Sequence, residues 1–250
     1  MPHVSGGHLR GLRSVASHNA FYVYSGRELP RSAAAFPEAE DVAARIGLAA
    51  HAQKYAALAA LTRRSFNDLF WNEQAGCLYD CISAGRSDPA MRPKQILAVS
   101  LTHCMLDKAR AKAVVDAVER ELFTPYGLRS LSPADPRYRG RYEGDSFARD
   151  SSYHQGPVWP WLLGPFIDAD FKVNGRRKAQ DRLRACLEAL SGHLTEAGLG
   201  HISEIFDGDP PHRPRGCFAQ AWSVAEVLRA VVEHGIGLKA LNARTAATIL

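Results

Sequence analysis

The sequence predicts an all-α protein, and three features support this prediction. Apolar residues recur at intervals of three and four in several long segments, which is the pattern of helices with one buried face. The residues with distinctive chemistry lie in loops at the starts of these helices. A βαβ fold would need buried strands rich in Val and Ile between the helices, whereas this chain alternates helix and loop.

The first half of the chain contains three of the predicted helices. An apolar repeat indicates a helix over residues 48–69, which should end near Trp71. Residues 77–82 lie between two glycines and are predicted to form a short strand or an extended loop. Pro93 suits the first turn of a second helix, because that turn does not use the N–H group that proline lacks. Asp107 is expected to cap a third helix, whose buried stripe lies within residues 111–122.

The second half of the chain alternates long loops with helices. Residues 124–152 are rich in Pro, Gly, Tyr and Arg, and a loop of this length in a compact domain is usually functional or disordered. Its tyrosines and charges favour a function. Helices are predicted from within residues 153–166 to about Val173, over residues 179–194 and over residues 218–232. The predicted apolar face of the last helix includes Trp222, Leu228 and Val232, and Trp222 is expected to pack in the core. A second loop of functional character, residues 201–215, lies between the last two helices.

The composition excludes several classes of function. The 250 residues carry a net charge of +5 without a long Lys/Arg run, so no nucleic-acid partner is expected. No apolar run reaches the length of about eighteen residues that a membrane span needs, so no membrane partner is expected either. The basic N-terminus lacks the apolar core of a secretory signal, which predicts a cytoplasmic protein. The five cysteines contain no CxxC pair and are expected as free thiols, and we predict no metal and no cofactor.

Three regions are predicted along the chain. Residues 1–37 contain many Gly, Arg and Ser residues and are expected to form a poorly ordered leader. A cleaved transit peptide is the alternative for this leader, since acidic residues are scarce in it. Residues 38–235 contain the predicted helices and functional loops, and residues 236–250 are expected to form a loose tail.

Residues 152–166 combine aromatic and amide side chains around glycine and proline. Gly156 permits a tight turn, and both Pro157 and Pro160 can lie in the first turn of the helix that follows. Aromatic faces next to amide donors suit a sugar, which has an apolar ring face and a belt of hydroxyl groups. The alternative is a rigid turn with two core tryptophans. The candidate substrate-binding residues of this segment are Tyr153, His154, Gln155, Trp159 and Trp161.

Two long motifs resemble a known family. They are YHQGPVWPWLLGPF at residues 153–166 and SEIFDGDPPHRPRGCFAQAWS at residues 203–223. Both are similar to the C-terminal, amylo-α-1,6-glucosidase domain of glycogen debranching enzymes, and the resemblance extends over about residues 48–230. It implies an (α/α)6 toroid, of which this chain holds a part, with long loops and short β-hairpin pieces at the cleft. It also implies an α-glucan partner, glycogen or limit dextrin, whose α-1,6 branch points are hydrolysed with inversion.

The resemblance implies that Glu204 is the catalytic base. Inverting glycosidases use two carboxyl groups about 6.5–9.5 Å apart, one as an acid and the other as a base that activates water. The apolar neighbours of Glu204 would shelter it, and the alternative is a buried carboxylate paired with Arg213 or Arg215. Asp207 and Glu143 are further candidates for substrate binding, with turn formation and surface charge as their respective alternatives.

The chain departs from the family at two points. The Trp-Met-Asp context expected for the general acid does not occur, and Lys94 stands where an Asn is expected. Hydrolysis therefore requires an acid from an unrecognised carboxylate or from an N-terminal half on another chain. The alternatives are a catalytically idle glucan-binding remnant, a subunit of a split enzyme, or another (α/α)6 enzyme of the trehalase or rhamnosidase type. Because part of a toroid leaves apolar helix faces unpaired, self-association is also expected.

Overall fold

The computed structural model describes residues 35–83 and 85–235 of the chain. Its α-helices are α1 (Ala35–Arg45), α2 (Ala49–Phe70), α3 (Leu97–Ser100), α4 (Lys108–Leu122), α5 (Ser146–Ser152), α6 (Leu163–Asn174), α7 (Arg176–Glu196) and α8 (Ala221–Glu233). Short 3₁₀ turns, Pro93–Ile96 and Pro160–Leu162, lead into α3 and α6. The strands are β1 (Trp71–Asn72), β2 (Cys77–Leu78), β3 (Cys81–Ser83), β4 (Arg86–Asp88), β5 (Phe123–Thr124), β6 (Gly127–Arg129), β7 (Val158–Trp159), β8 (Ile205–Phe206) and β9 (Pro214–Arg215).

The long helices form where the apolar repeats predict them. Helix α2 ends at Phe70, next to the predicted end at Trp71. Asp107 caps α4, and its side chain accepts a hydrogen bond from the backbone N–H of Arg110 at 2.8 Å. Pro93 begins a 3₁₀ turn that continues as α3, which its missing N–H allows. The prediction of a mostly helical protein is therefore confirmed.

The β structure is more extensive than the sequence predicts. Five short strands form one antiparallel sheet in the order β5-β6-β7-β8-β9. Residues 124–152, predicted as a loop, supply β6 and α5 together with irregular segments. Each strand of this sheet is only two or three residues long, so none shows the alternation of apolar and polar residues that reveals a strand. The all-α prediction is wrong for this sheet, which is larger than the expected hairpin pieces.

The core contains side chains from the helices and from the sheet. Val118 of α4, Phe166 of α6 and Leu183 of α7 belong to one cluster of buried residues, which also includes Leu128 of β6. Phe123 of β5 stacks on Phe166 with ring centroids 5.0 Å apart. This packing fixes the sheet against α6, the helix that follows β7 after one 3₁₀ turn.

The apolar face predicted for α8 is not the face that the protein buries. Trp222, Leu228 and Val232 are exposed, whereas Val227 and Val231 are buried. The helix is apolar around much of its circumference, so its repeat does not identify the side that faces the core. The self-association expected from exposed apolar side chains stays a prediction.

The predicted leader and tail lie almost wholly outside the described residues. Residues 35–37 are the exception, because they already belong to α1, so the helical region begins before residue 38. Among the described residues, no helix combines the length and the apolar character that crossing a membrane requires.

Candidate active site

The five-stranded sheet brings the two sequence motifs together. Strand β7 lies at its centre and pairs with β6 on one side and with β8 on the other. Trp159 lies opposite Leu128, and Val158 lies opposite Phe206. Strand β7 belongs to residues 153–166, which we call the aromatic segment, and β8 begins directly after Glu204. The sheet therefore places Glu204 beside the aromatic segment.

Glu204 is half-buried, and three donors bind its carboxylate. Oε1 accepts hydrogen bonds from the Tyr153 hydroxyl at 2.5 Å and from the Gln220 side-chain amide at 3.2 Å. Oε2 accepts a hydrogen bond from the backbone N–H of Cys217 at 3.1 Å. All three donors are neutral groups, so they fix the position of the carboxylate without neutralising its charge.

Tyr153 joins Glu204 to the aromatic segment. Its ring centroid lies 4.9 Å from that of Trp159 and 4.8 Å from that of His154. Burial, followed by the hydrogen bond to Glu204 and the charge of that carboxylate, raises the pKa of the Tyr153 hydroxyl well above its usual range. The hydroxyl therefore stays protonated and acts as a donor that orients the carboxylate.

Gly216 gives the Glu204 carboxylate the space that it occupies. The backbone of Gly216 has a φ of +67°, which is in the left-handed region that favours glycine. A Cβ atom at this position would collide with Oε2 of Glu204. The turn after β9 therefore needs glycine both for its conformation and for the approach of the carboxylate.

Asp207 stabilises the loop that follows Glu204. Its side chain is 0% exposed, and Arg215 donates to its carboxylate from Nε at 3.1 Å and from Nη2 at 3.0 Å. The backbone N–H of Tyr142 donates to Oδ1 of Asp207 at 2.9 Å. Nη2 of Arg215 also lies 3.3 Å from Oε2 of Glu143. The alternative in which Glu204 pairs with Arg213 or Arg215 is therefore wrong, because Arg215 pairs with Asp207 and, among the described residues, Glu204 forms no ion pair.

A cavity of about 300 Å³ lies along the same aromatic segment. This volume is at the lower end of the range for ligand sites, roughly 300–1,000 Å³. Its walls combine indole rings with amide and charged groups, the combination expected of a site for a sugar. The lining includes His154, Gln155, Trp159 and Trp161 of the predicted set, and Asp80, Arg92, Lys94 and Ser130 in addition.

Comparison with known proteins gives the family of the chain. Residues 32–229 match the family model described as amylo-alpha-1,6-glucosidase. The chain belongs to the amylo-alpha-1,6-glucosidase family. The match begins well before residue 48, where the motifs suggested that the resemblance starts. The glycogen debranching enzyme of Saccharomyces cerevisiae is 31% identical to this family member over 175 residues, which cover 61% of this chain and 11% of the yeast protein.

Solved structures resemble this amylo-alpha-1,6-glucosidase family member in fold. The GH63 mannosylglycerate hydrolase from Thermus thermophilus, in complex with Tris and D-glycerate, matches with a TM-score of 0.55 and 18% identity, over 78% of this chain and 44% of that chain. An uncharacterized conserved protein from the same organism matches with a TM-score of 0.51 and 20% identity, over 71% of this chain and 41% of that chain. The chain therefore spans less than half the length of each.

The predicted substrate-binding residues do not all reach the cavity. Tyr153 binds Glu204, and Glu143 is exposed beside Arg215. Asp207 is completely buried, so we assign it to holding the loop rather than to contact with a sugar. Trp222, expected to pack in the core, is exposed and stacks on Trp161 with ring centroids 5.2 Å apart.

Arg92 is the main site residue that sequence reasoning missed. Its Nη1 donates to the backbone oxygens of Ser130 at 3.0 Å and His154 at 2.7 Å, and its Nη2 donates to Oε1 of Gln155 at 2.8 Å. Arg92 therefore fixes the segment that lines the cavity. Its position before Pro93 at a helix start was visible in the sequence, but partners about 60 residues away were not.

A group that could hold a metal ion exists in the described part of the chain. The ligand atoms of Asp80, Cys81 and Asp88 lie within 4.8 Å of one another. However, Nζ of Lys94 lies 3.0 Å from Oδ1 of Asp80, and Nε of Arg92 lies 3.8 Å from Oδ2. Because the protein's own cations already balance this carboxylate, we assign no metal to the group.

His193 holds the residue that precedes Glu204. It is buried in α7, and its Nε2 accepts a hydrogen bond from the backbone N–H of Ser203 at 3.1 Å. Burial lowers the pKa of His193 from the usual 6.5, and the charge of Glu196 opposes this shift. The imidazole has to be neutral to accept the bond, so this contact depends on pH.

We expect the folded protein to lose stability in acid through His193. The unfolded chain binds a proton at this residue before the folded protein does, because the pKa is lower in the fold. The contribution of neutral His193 is therefore present above pH 6.5 and is lost as the pH falls through the lowered pKa. Urea unfolding over a pH series should show this loss, and His193→Gln should reduce it. An equal acid-dependent loss in variant and wild type would contradict the assignment.

Proposed function

We propose that the chain hydrolyses α-1,6-glucosidic branch points of glycogen or limit dextrin in the cytoplasm, with inversion and with Glu204 as the catalytic base. The observation that carries the proposal is the Glu204 carboxylate, which three neutral donors hold beside the aromatic segment. Membership of the amylo-alpha-1,6-glucosidase family and the similarity to a glycogen debranching enzyme support an α-glucan substrate.

The proposed role of Glu204 is to remove a proton from the attacking water. The water bonds to the anomeric carbon on one face of the sugar while an acid protonates the leaving oxygen on the other. In the described structure, Oε1 accepts two hydrogen bonds and Oε2 accepts one. A carboxylate oxygen has two lone pairs, so Oε2 keeps one with which to bind the water. The Tyr153 hydroxyl fixes the other oxygen in position.

The cavity is proposed to hold the glucosyl unit. Trp159 and Trp161 offer indole surface to the apolar face of the sugar. The Gln155 side-chain oxygen is taken by Arg92, which leaves its NH₂ group to donate to a sugar hydroxyl. His154 stacks on Trp159 with ring centroids 5.2 Å apart and completes this wall. Glu143, exposed near the loop of Glu204, is proposed to contact the glucan at the rim.

We further propose that the described helices are part of an (α/α)6 toroid. The solved relatives support this, since the chain matches less than half of each. The general acid is then supplied by a carboxylate outside the two motifs or by an N-terminal half on another chain.

A second candidate function is binding of α-glucan without hydrolysis. The absence of a Trp-Met-Asp tripeptide favours it, because the family resemblance leads us to expect the general acid in that context. General acid–base catalysis contributes about 10²–10⁴-fold to a rate, so a chain without the acid would bind glucan and turn it over very slowly.

Incubation of the purified chain with a phosphorylase-limit dextrin distinguishes the two functions. We expect release of glucose, measured enzymatically, together with co-sedimentation of the chain with glycogen. Co-sedimentation without glucose release would replace hydrolysis by the glucan-binding function. If the chain neither releases glucose nor co-sediments with glycogen, both proposed functions are contradicted.

Tyr153→Phe is expected to lower kcat by about 10-fold or more while KM changes little. A hydrogen bond to a charged group contributes about 1.5–3 kcal/mol, and this one orients the carboxylate of Glu204 rather than the substrate. The neighbouring Tyr142→Phe provides the matched control, since the ring of Tyr142 lies 5.6 Å from that of Tyr153. Equal kinetics in the two variants would show that the Tyr153 hydroxyl does not position the base.

A further inference from the structure

One wall of the cavity carries an ion pair that the proposed hydrolysis does not use. Asp80 and Lys94 both line the cavity, and Oδ1 of Asp80 lies 3.0 Å from Nζ of Lys94. The side chains are 10% and 13% exposed, so both charges are largely removed from water. Arg92 lies next to them, with its Nε 3.8 Å from Oδ2 of Asp80. Burial raises the pKa of Asp80, and the two cations oppose this shift.

Asp80 and Lys94 offer complementary hydrogen-bonding groups on this cavity. An ionised carboxylate has about four lone-pair sites and an ammonium has three protons, so their contact with each other leaves both able to bind a further group. A carboxylate only accepts hydrogen bonds, and an ammonium only donates them. A ligand that binds both must itself donate and accept.

The charges of the cavity select among such ligands. Arg92 is committed to three acceptors on Ser130, His154 and Gln155. The charged groups left to meet a ligand are therefore the Asp80 carboxylate and the Lys94 ammonium. A cation would be repelled by Lys94 and Arg92, and an anion without a hydrogen-bond donor could not bind Asp80, which only accepts. A neutral molecule with adjacent hydroxyl groups can donate to the carboxylate and accept from the ammonium.

We propose that Asp80 and Lys94 determine specificity by binding neighbouring hydroxyl groups of a single terminal glucosyl unit in this cavity. The inference rests on the proposed function for its substrate class and adds the residues that recognise the sugar. The ammonium of Lys94 only donates hydrogen bonds, so it binds a hydroxyl oxygen, while Asp80 accepts from a hydroxyl proton.

The test measures binding without turnover. Trp159 and Trp161 lie in the cavity wall, so quenching of tryptophan fluorescence reports the binding of D-glucose and of its monodeoxy analogues. We expect at least one deoxy analogue to bind about 10–100-fold more weakly to the wild type, as loss of a hydrogen bond to a charged group predicts. In Asp80→Asn this penalty should shrink to a few-fold, because the charged acceptor is gone. Asp88→Asn, outside the cavity lining, should keep the wild-type pattern.

Three results would overturn the inference. They are no binding of glucose by the wild type, an unchanged deoxy penalty in Asp80→Asn, and tighter binding of glucose 1-phosphate than of glucose. If Asp80→Asn does not fold, a structure of the unmodified chain with glucose decides the case. A sugar hydroxyl in hydrogen-bond contact with Asp80 supports the inference, and a sugar bound elsewhere refutes it.

The same measurements separate this inference from the proposed function. If glucose binding shows the Asp80-dependent pattern but the chain releases no glucose from limit dextrin, the inference about the sugar site stands and the proposed hydrolysis fails. If the chain releases glucose but glucose binding does not depend on Asp80, the proposed hydrolysis stands and this inference fails.

Discussion

Arg215→Met is expected to destabilise the protein by about 3 kcal/mol, because it leaves a buried carboxylate without its partner. Asp207 is 0% exposed, and Arg215 donates to both of its oxygens. In the described part of the chain, the nearest remaining cation is Arg141, whose Nη1 lies 3.8 Å from Oδ2 of Asp207. Urea unfolding measures the change, and glucose release should fall as well, because the loop that follows Glu204 loses its anchor.

Removing the charge of Asp207 instead of that of Arg215 should destabilise the protein less. Arg215 is 26% exposed and can be hydrated, so Asp207→Asn is expected to destabilise by roughly 1–2 kcal/mol. The double variant should be more stable than Arg215→Met alone, because it removes the unpaired buried charge. Arg213→Met, at the exposed arginine two residues earlier, is the control. If Arg215→Met were as stable as this control, the ion pair would not hold the loop.

Glu204→Gln is expected to lower glucose release by about 10²–10⁴-fold while glycogen binding is retained. Glutamine keeps the shape of the side chain but cannot accept a proton from water. Its amide oxygen can still accept from Cys217 N–H, and its NH₂ group can donate to the Tyr153 hydroxyl, so the fold should persist.

The control for this variant is Glu188→Gln, which changes an exposed glutamate of α7 and should leave the rate unchanged. Thermal melts of both variants check that the fold is intact. A Glu204→Gln variant with wild-type activity would remove Glu204 from the chemistry.

The helices could be predicted because their signals are local. Helix α4 illustrates this, since its apolar stripe and its cap at Asp107 all lie within one continuous segment. Helix α8 shows the limit of the method. Its apolar repeat predicts a helix correctly, but the residues of that repeat, such as Leu228 and Val232, lie in solvent. Which side of an apolar helix is covered depends on its tertiary neighbours.

The site could be predicted only in part, for the same physical reason. The motifs singled out Glu204 and the aromatic segment, and the short strands of the sheet that joins them gave no sequence signal. Arg92 acts through contacts with residues far away in the chain, which periodicity cannot reveal. Asp207 has a carboxylate of the kind that binds sugar hydroxyl groups, so the sequence made it a candidate. Its complete burial results from the packing of two loops, which the sequence does not show.

The anomeric form of the first glucose released from limit dextrin tests the central claim most directly. An inverting reaction with Glu204 as base places the water on the face opposite the leaving oxygen, so an α-1,6 linkage yields β-glucose first. Proton NMR of the early reaction, before mutarotation equilibrates the sugar, distinguishes the two anomers. We predict β-glucose from the wild type and almost none from Glu204→Gln. Release of α-glucose first, or equal release by both proteins, would contradict the account.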